Sequence, residues 1–434
     1  MTTASDTAKT ATQAPTENWD HNAPVSLAEV TDRLNRYASE TPIVWNTAYG
    51  GFWVIAGYEE CNTAYSDWET FSSLHDGVEG DPFAKRDVGL YPEDRTPRTG
   101  LSIPEQPSRF VPTECDGPMH SQIRRLEAPF FTPKATRSHE DFIRKHTVEA
   151  IESVQATGRI DFAANIAHVI PVKMASELIG KGTPDWRTLS DTVNQMLLHP
   201  ASSPEFPMDL FRSMQGQILE LVTKRKDDPQ DDVASALMKG TIFDDPVQPV
   251  EAQTILNGLT FGSTDTTATT FLHAVQWLSA HPEERENLRR NPDLIPAAIE
   301  EFLRLFTPGL GIARTVARDT DFFGYEFKEG QRVLLLNSAA NRDPRKFEDP
   351  LTAKFDRDNI RDHIAFGSGP HRCLGAPIAR LELKIILEEL LERLPDFQVI
   401  EEEVVEYPRK GGTLGFATVP ARFTPVGSSA AASV

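Results

Sequence analysis

Cysteine is scarce in this chain. Cys61, Cys115 and Cys373 are the three among 434 residues, too few and too scattered for a disulfide framework. A reducing cytoplasm suits that composition. Positive charge is also short. Lys and Arg number 44 against 64 Asp and Glu, a net charge of −20. That excludes bulk affinity for nucleic acid or an anionic membrane, while leaving room for a local basic patch. No apolar run is long enough to span a bilayer. The N-terminus lacks a basic region followed by an apolar segment, so no secretory signal is expected. Internal repeats and composition breaks are absent. What remains is ordinary for a globular protein, 39% hydrophobic and 25% charged, with material for a considerable core.

The chain reads as a single domain over residues 18–426, between a disordered N-terminal tail (1–17) and a flexible C-terminal tail (427–434), both poor in groups to bury. Pro42 to Ala56 reads as a hairpin, with Ile43-Val44-Trp45 and Phe52-Trp53-Val54-Ile55 flanking Tyr49-Gly50-Gly51. Residues 72–115 are crowded with Gly, Pro and charge, a long loop of the functional or mobile kind. Residues 119–238 and 250–305 read mostly helical, the second stretch broken at His281-Pro282 and Asn291-Pro292. Strand-like pieces follow at 311–318, 321–327 and 332–336. The fold class is mostly α with small β-sheets.

Chemistry concentrates in four places. The first is Phe366-Gly367-Ser368-Gly369-Pro370-His371-Arg372-Cys373-Leu374-Gly375-Ala376. A glycine-rich loop leads into one cysteine, and an amphipathic helix follows, with Leu374, Ile378, Leu381 and Ile385 at helical spacing and Pro377 in its first turn. Amides at a helix N-terminus favour a thiolate, and His371 and Arg372 are expected to add positive charge. The residues alone fit a reactive or iron-ligating sulfur and a small buried hydrophobe equally well.

The second place is Gly262-Ser263-Thr264-Asp265-Thr266-Thr267, set inside a long helical pattern. Its hydroxyls can bond back to carbonyls and loosen the turn into a polar notch; a solvated polar face is the other reading. The third is Glu301-Phe302-Leu303-Arg304, where Glu301 and Arg304 share a helix face beside apolar neighbours. The fourth is the pair His120 and Arg124, four residues apart, able to face one carboxylate.

The cysteine run resembles the haem-binding signature of the cytochrome P-450 family, with every fixed position filled. Asp265-Thr266 is similar to that family's oxygen-activation pair, with Ser263 where many members have a second glycine. The resemblance covers roughly Val25 to Val426 and implies the family fold, a long central helix over haem. It makes Cys373 the iron ligand and Phe366, Gly367 and Gly375 part of the haem loop. His120, Arg124, Arg314 and His371 become anchors for the haem propionates. Asp265 is expected to deliver protons and Thr266 to order dioxygen and its water. Glu301 and Arg304 become a structural pair joined by Arg357, although the spacing from Arg357 to His363 is one residue longer than common.

The implied function is a haem-thiolate monooxygenase of the soluble, cytoplasmic bacterial type. It would carry haem b and insert one oxygen atom from O2 into an apolar small molecule such as a terpenoid, steroid or polyketide. With no flavin or iron–sulfur motif in the chain, electrons are expected from a ferredoxin fed by an NAD(P)H reductase. Arg124, Arg125, Lys346, Arg372 and Lys384 form the candidate docking patch. Phe261, Thr264, Gly309, Leu310, Gly311 and Ile312 are the candidate substrate-pocket residues, Gly309 and Gly311 leaving room for a bulky ring or merely satisfying turn geometry. A peroxide-driven peroxygenase, a non-enzymatic haem sensor or carrier and a cofactor-free helical interaction protein are the rival readings.

Overall fold

A computed structural model describes residues 14–181, 184–199 and 203–425. The C-terminal tail assigned to 427–434 and most of the N-terminal one lie outside the described residues. Helices dominate. Those that position the site are α1 (Leu27–Glu40), α2 (Gly117–Glu127), α3 (Glu140–Glu152), α4 (Ile170–Gly180), α5 (Trp186–Leu198), α6 (Met208–Asp227), α7 (Pro249–Ala280), α8 (Pro282–Arg290), α9 (Ile295–Leu305) and α10 (Ala376–Arg393).

Local chemistry sets their ends. Ser26 and Glu29 make a capping box at the start of α1, whose buried Val30, Leu34, Tyr37 and Ala38 form one stripe. Gln248 and Glu251 do the same for α7. Helix α7 stops at His281 and α8 at Asn291, each extended in φ and each followed by proline. A residue before proline is pushed out of the helical region, so both breaks occur where the sequence places them.

Helix α7 is the axis of the molecule. Its 32 residues span about 48 Å. The loosening that the hydroxyls would allow at 262–267 does not occur: the helix is unbroken from Pro249 to Ala280. The hydroxyls instead fold onto their own helix. Ser263 Oγ donates to Leu259 O (2.7 Å) and Thr266 Oγ1 to Gly262 O (3.1 Å), bonds that coexist with the backbone ladder. Around α7 packs a large apolar core. Phe162 meets both Phe271 of α7 (5.9 Å between centroids) and Phe397 (5.2 Å) edge-on.

The principal sheet takes the strands β1 (Thr16–Glu17), β2 (Ile43–Asn46), β3 (Phe52–Ile55), β4 (Phe71–Ser72), β5 (Ile312–Val316) and, after the hairpin β6 (Thr320–Phe322) and β7 (Tyr325–Phe327), β8 (Arg332–Leu335). Its order is β1-β2-β3-β8-β5-β4. Strands β2 and β3 pair antiparallel, Trp45 opposite Trp53, as the two apolar runs flanking Tyr49-Gly50-Gly51 predict. A further hairpin, β9 (Val405–Glu406) and β10 (Phe416–Thr418), lies near the C-terminus.

The N-terminal tail ends earlier than residue 17. Thr16 and Glu17 pair parallel with Trp45 and Asn46, and the Glu17 carboxylate accepts from Arg33 (2.7 Å), Arg36 (2.5 Å) and Tyr37 (2.7 Å). Composition registers apolar side chains; here backbone pairing and a clamped carboxylate order the chain. Residues 72–115 hold little regular structure but are pinned. The buried Arg109 guanidinium bonds Asp81 (3.0 Å) and Asp87 (2.5 Å), and Glu114 accepts the amides of Leu101 and Phe110, both at 2.7 Å.

Candidate active site

The cysteine loop hangs between Ile364 and the start of α10. Gly367 and Gly369 take φ of 67° and 66°, the left-handed region open to glycine. At Gly369 a Cβ would also stand 2.6 Å from Tyr65 O, so no other residue fits. Cys373 N–H donates to Phe366 O (2.9 Å), which closes the loop and aims the sulfur into a cavity. The amides of Gly375 and Ala376 point at that sulfur, and Arg124 and Arg372 add positive charge. Desolvation by the surrounding protein opposes all four and pushes the thiol up from its usual value, although the residue is open to the cavity. A bound cation facing that sulfur would favour its anion.

His371 does not supply the positive charge expected beside it. Burial, with Arg314, His120 and Arg124 nearby, pushes the His371 imidazole down to about 2, and His120 falls to about 4 mainly through burial. Both rings are neutral at neutral pH, and their centroids lie 4.1 Å apart.

The cavity has a volume of about 340 Å³. One wall is α7, presenting Leu259, Gly262, Ser263, Thr266, Thr267 and Thr270. These recur every three or four residues, one continuous helix face. No atom lies within 4 Å of the place a Cβ would take at Gly262, so the face is open there. The opposite wall is Phe366, Gly367, Cys373, Leu374, Gly375 and Ile378. A slot between a helix face and a sulfur-bearing loop suits a flat macrocycle.

One end of the slot is cationic. Arg124 and Arg314 line it with His371. Arg314 is buried, donates to Ala313 O (2.8 Å) and stacks over Tyr65, yet makes no ion pair among the described residues. His371 Nδ1 likewise lacks a partner. Buried, unspent donors of this kind fit the carboxylates of a haem. His120 stands behind His371 rather than in the cavity. Behind the cysteine loop, Glu301 and Arg304 are both fully buried and joined at 2.7 Å, and Arg357 Nε reaches the same carboxylate at 2.8 Å.

The structure divides the remaining sequence candidates. Thr266, Gly309, Gly311 and Ile312 line the cavity; Asp265, Phe261, Thr264 and Leu310 do not. Phe261 packs edge-on to Phe110, and Leu310 is buried in the core on the sheet side. Phe261 and Thr264, like Asp265, lie well around the helix from Thr266 at 100° per residue, a rotation that chain proximity hides. Asp265 is buried, which raises its carboxyl to about 6, with Thr413 favouring the charged form. Gly311 is required for packing, since a Cβ there would meet Leu335 O at 2.4 Å, whereas at Gly309 the nearest atom is Gly412 O at 3.9 Å.

Two cavity carboxyls escaped the sequence reading. Glu127 and Glu382 both line it, and burial raises each to about 8. Glu382 could have been found: it sits four residues after Ile378 on the apolar stripe of α10.

The profile described as Cytochrome P-450 matches residues 207–424. The chain belongs to the cytochrome P-450 family. It is 31% identical to cytochrome P-450(MEG) of Priestia megaterium, covering 80% of this chain and 84% of that one. It is also 31% identical to the steroid C26-monooxygenase of Mycolicibacterium smegmatis over 75% and 82% of the two chains. Among solved structures it superposes on a mutant of P-450 EryK in complex with erythromycin B with a TM-score of 0.78 at 25% identity, covering 94% and 98%. The helices and small sheets described above are thus the P-450 fold, and the chain is an oxidoreductase of the monooxygenase type. The family carries haem and works with redox partners and small substrates. No helix among the described residues is long and apolar enough to cross a membrane.

Proposed function

We propose that this P-450 holds haem b between α7 and the cysteine loop and inserts one oxygen atom from O2 into an apolar, ring-bearing small molecule of steroid or macrolide size. The carrying observation is the pairing of Cys373 with the hydroxyl-rich face of α7 across one cavity, closed at its end by unpaired Arg314. Cys373 would ligate the iron, and Arg124, Arg314 and His371 would hold the propionates, with His120 supporting His371. Haem supplies the oxygen activation when bound; the chain supplies access, orientation and protons. Thr266 would hold water or dioxygen by its hydroxyl, and Asp265 would be its proton source. Substrate would enter beneath Pro112 and Thr113 and rest against Gly309 and Ile312, in a mostly apolar site. The names of the steroid monooxygenase and of the erythromycin complex support that class.

Electrons would come from a ferredoxin and its NAD(P)H reductase in the cytoplasm. The docking patch reduces to Arg125 and Arg372, because Lys346 is spent on Asp362 and Lys384 on Glu388, each at 2.7 Å, and Arg124 lines the cavity. Reversing both charges should slow reduction at low salt.

The test begins with the reduced protein and carbon monoxide. A haem-thiolate absorption band that disappears in Cys373→Ser supports the reading; a band unchanged by that substitution removes it. Steroids and macrolides are then screened for a Soret shift, and hits are turned over with ferredoxin, reductase and NADPH or with peroxide alone. Product formed with peroxide alone would identify a peroxygenase; no product with any shifting ligand would identify a sensor.

A further inference from the structure

Glu300 and Glu301 are neighbours on α9, but at about 100° per residue their side chains leave the helix in different directions. Glu301 is taken by Arg304 and Arg357. Glu300 meets Arg380 of α10 and His363, three residues before Phe366. Arg380 Nε donates to one Glu300 oxygen (2.6 Å) and NH2 to the other (2.8 Å), which also lies 2.9 Å from His363 Nε2. Ala365 N–H donates to His363 Nδ1 (3.3 Å), so the ring proton sits on Nε2 and faces Glu300. Glu300 and His363 are both buried. Burial opposes charge on Glu300, yet Arg380 and His363 hold its carboxyl down at about 2. The pair is ionised at neutral pH.

The Arg380 guanidinium also stands over the Phe366 ring, 4.6 Å from its centre, within the range of cation–π attraction. Phe366 lines the cavity together with Cys373, and its carbonyl oxygen accepts the Cys373 N–H. The chain between His363 and the sulfur is fixed. Ile364 N–H donates to Asn341 Oδ1 (2.8 Å) and Gly367 N–H to Ile364 O (2.9 Å). Neither Glu300 nor Arg380 lines the cavity, so both reach the site only across the loop. The ion pair is therefore oriented. Its positive end rests on the ring of the sulfur-bearing loop, and its negative end is held on α9 by His363.

We propose that Glu300 and Arg380 form an oriented ion pair that tunes the haem-thiolate from behind Phe366, Arg380 restraining electron donation by the Cys373 sulfur and Glu300 opposing it. This rests on the reading of Cys373 as the iron ligand. Arg380 is a positioning residue here, acting across Phe366, and no bond is made or broken. Its positive charge favours the extra electron of the reduced haem; the carboxylate disfavours it. His363 keeps the carboxylate in register with the fork. The Arg380 side chain is 30% exposed, so salt weakens its part and a replacement there finds room.

Spectroelectrochemical titration of the holoenzyme at low ionic strength reads this without turnover. Arg380→Met should shift the ferric–ferrous equilibrium toward ferric by up to about tenfold, which for one electron is about 59 mV. Glu300→Gln should shift it the other way, toward ferrous. Arg380→Lys, which keeps the charge and loses the fork, should fall between wild type and Arg380→Met. The iron–sulfur stretch, read by Raman scattering, should move in opposite directions in Arg380→Met and Glu300→Gln. A merely structural clamp would lower the melting temperature of both and move their equilibria the same way or not at all. If Arg380→Met fails to fold, Arg380→Gln is read with the same expected sign. Shifts of one sign in both folded variants, or none, with the haem-thiolate band intact, overturn the tuning and leave Cys373 as the ligand. A band unchanged by Cys373→Ser overturns both.

Discussion

Glu301 and Arg304 meet as a two-pronged pair with no exposed surface: Arg304 Nε donates to one carboxylate oxygen and NH2 to the other, both at 2.7 Å. Arg304 NH1 continues to Asn341 O and Pro350 O at 2.8 Å, and Glu301 also accepts from Lys354 N and Arg357 Nε. The pair thereby ties α9 to the segment that leads into the cysteine loop.

Removing one member leaves a buried charge without its partner, a loss of roughly 3–5 kcal/mol. Glu301→Gln and Arg304→Met should each lower the unfolding free energy by that amount, read as a lower urea midpoint, and release haem during purification. Arg357→Met, which leaves the central pair intact, should cost less. Chemical unfolding monitored by helix signal, alongside haem content, checks the ordering.

The two pocket glycines should separate cleanly. Gly311→Ala forces a Cβ against Leu335 O and should destabilise by about 1–3 kcal/mol, because β5 must move off β8. Gly309→Ala meets almost nothing and should leave stability unchanged while narrowing the cavity. Thermal melts distinguish them, and ligand-induced Soret shifts should weaken for bulky ligands in Gly309→Ala.

That contrast shows where sequence stops being informative. The breaks at His281-Pro282 and Asn291-Pro292, the hairpin at 43–55 and the sulfur loop were legible, because proline, short apolar runs around a glycine turn and clustered glycines act locally. The motif fixed Cys373 and Thr266 in one cavity. It did not fix Asp265, adjacent in the chain but turned about 100° around the helix, nor separate Gly309 from Gly311, whose difference lies in a carbonyl of another strand. Glu127 was unreadable because its burial comes from helices brought together only by folding. The charge of His371 was misjudged for the same reason: desolvation by distant chain segments outweighs the neighbours in sequence.

Glu127 and Glu382 set a pH dependence of the haem-free protein. Each carboxyl titrates at about 8 in the fold against 4.5 ordinarily. Between those values the folded state keeps protons that the unfolded chain releases, so stability falls as pH rises from 4.5 to 8. Below that window the two states hold the same protons and the effect vanishes. Glu127→Gln and Glu382→Gln should match wild type near pH 4 and exceed it by up to a few kcal/mol near pH 8. Melting temperatures across that range test the sign.

Arg314 should give opposite signs in the two forms of the protein. Its guanidinium is buried without an ion pair among the described residues, and burial lowers its pKa, the mark of a charge held at a cost. Without haem, Arg314→Met exchanges that cost for apolar packing against Tyr65 and should leave the protein as stable or up to about 1–4 kcal/mol more so. With haem, the same substitution removes a donor from the propionate end and should speed haem transfer to a scavenging acceptor at least tenfold. Arg314→Lys, keeping charge but losing the fork, should fall between. Paired melts of haem-free and haem-loaded samples, read beside the transfer rate, decide it. A haem-free protein weakened as much as the loaded one would mean that Arg314 serves the sheet rather than the haem.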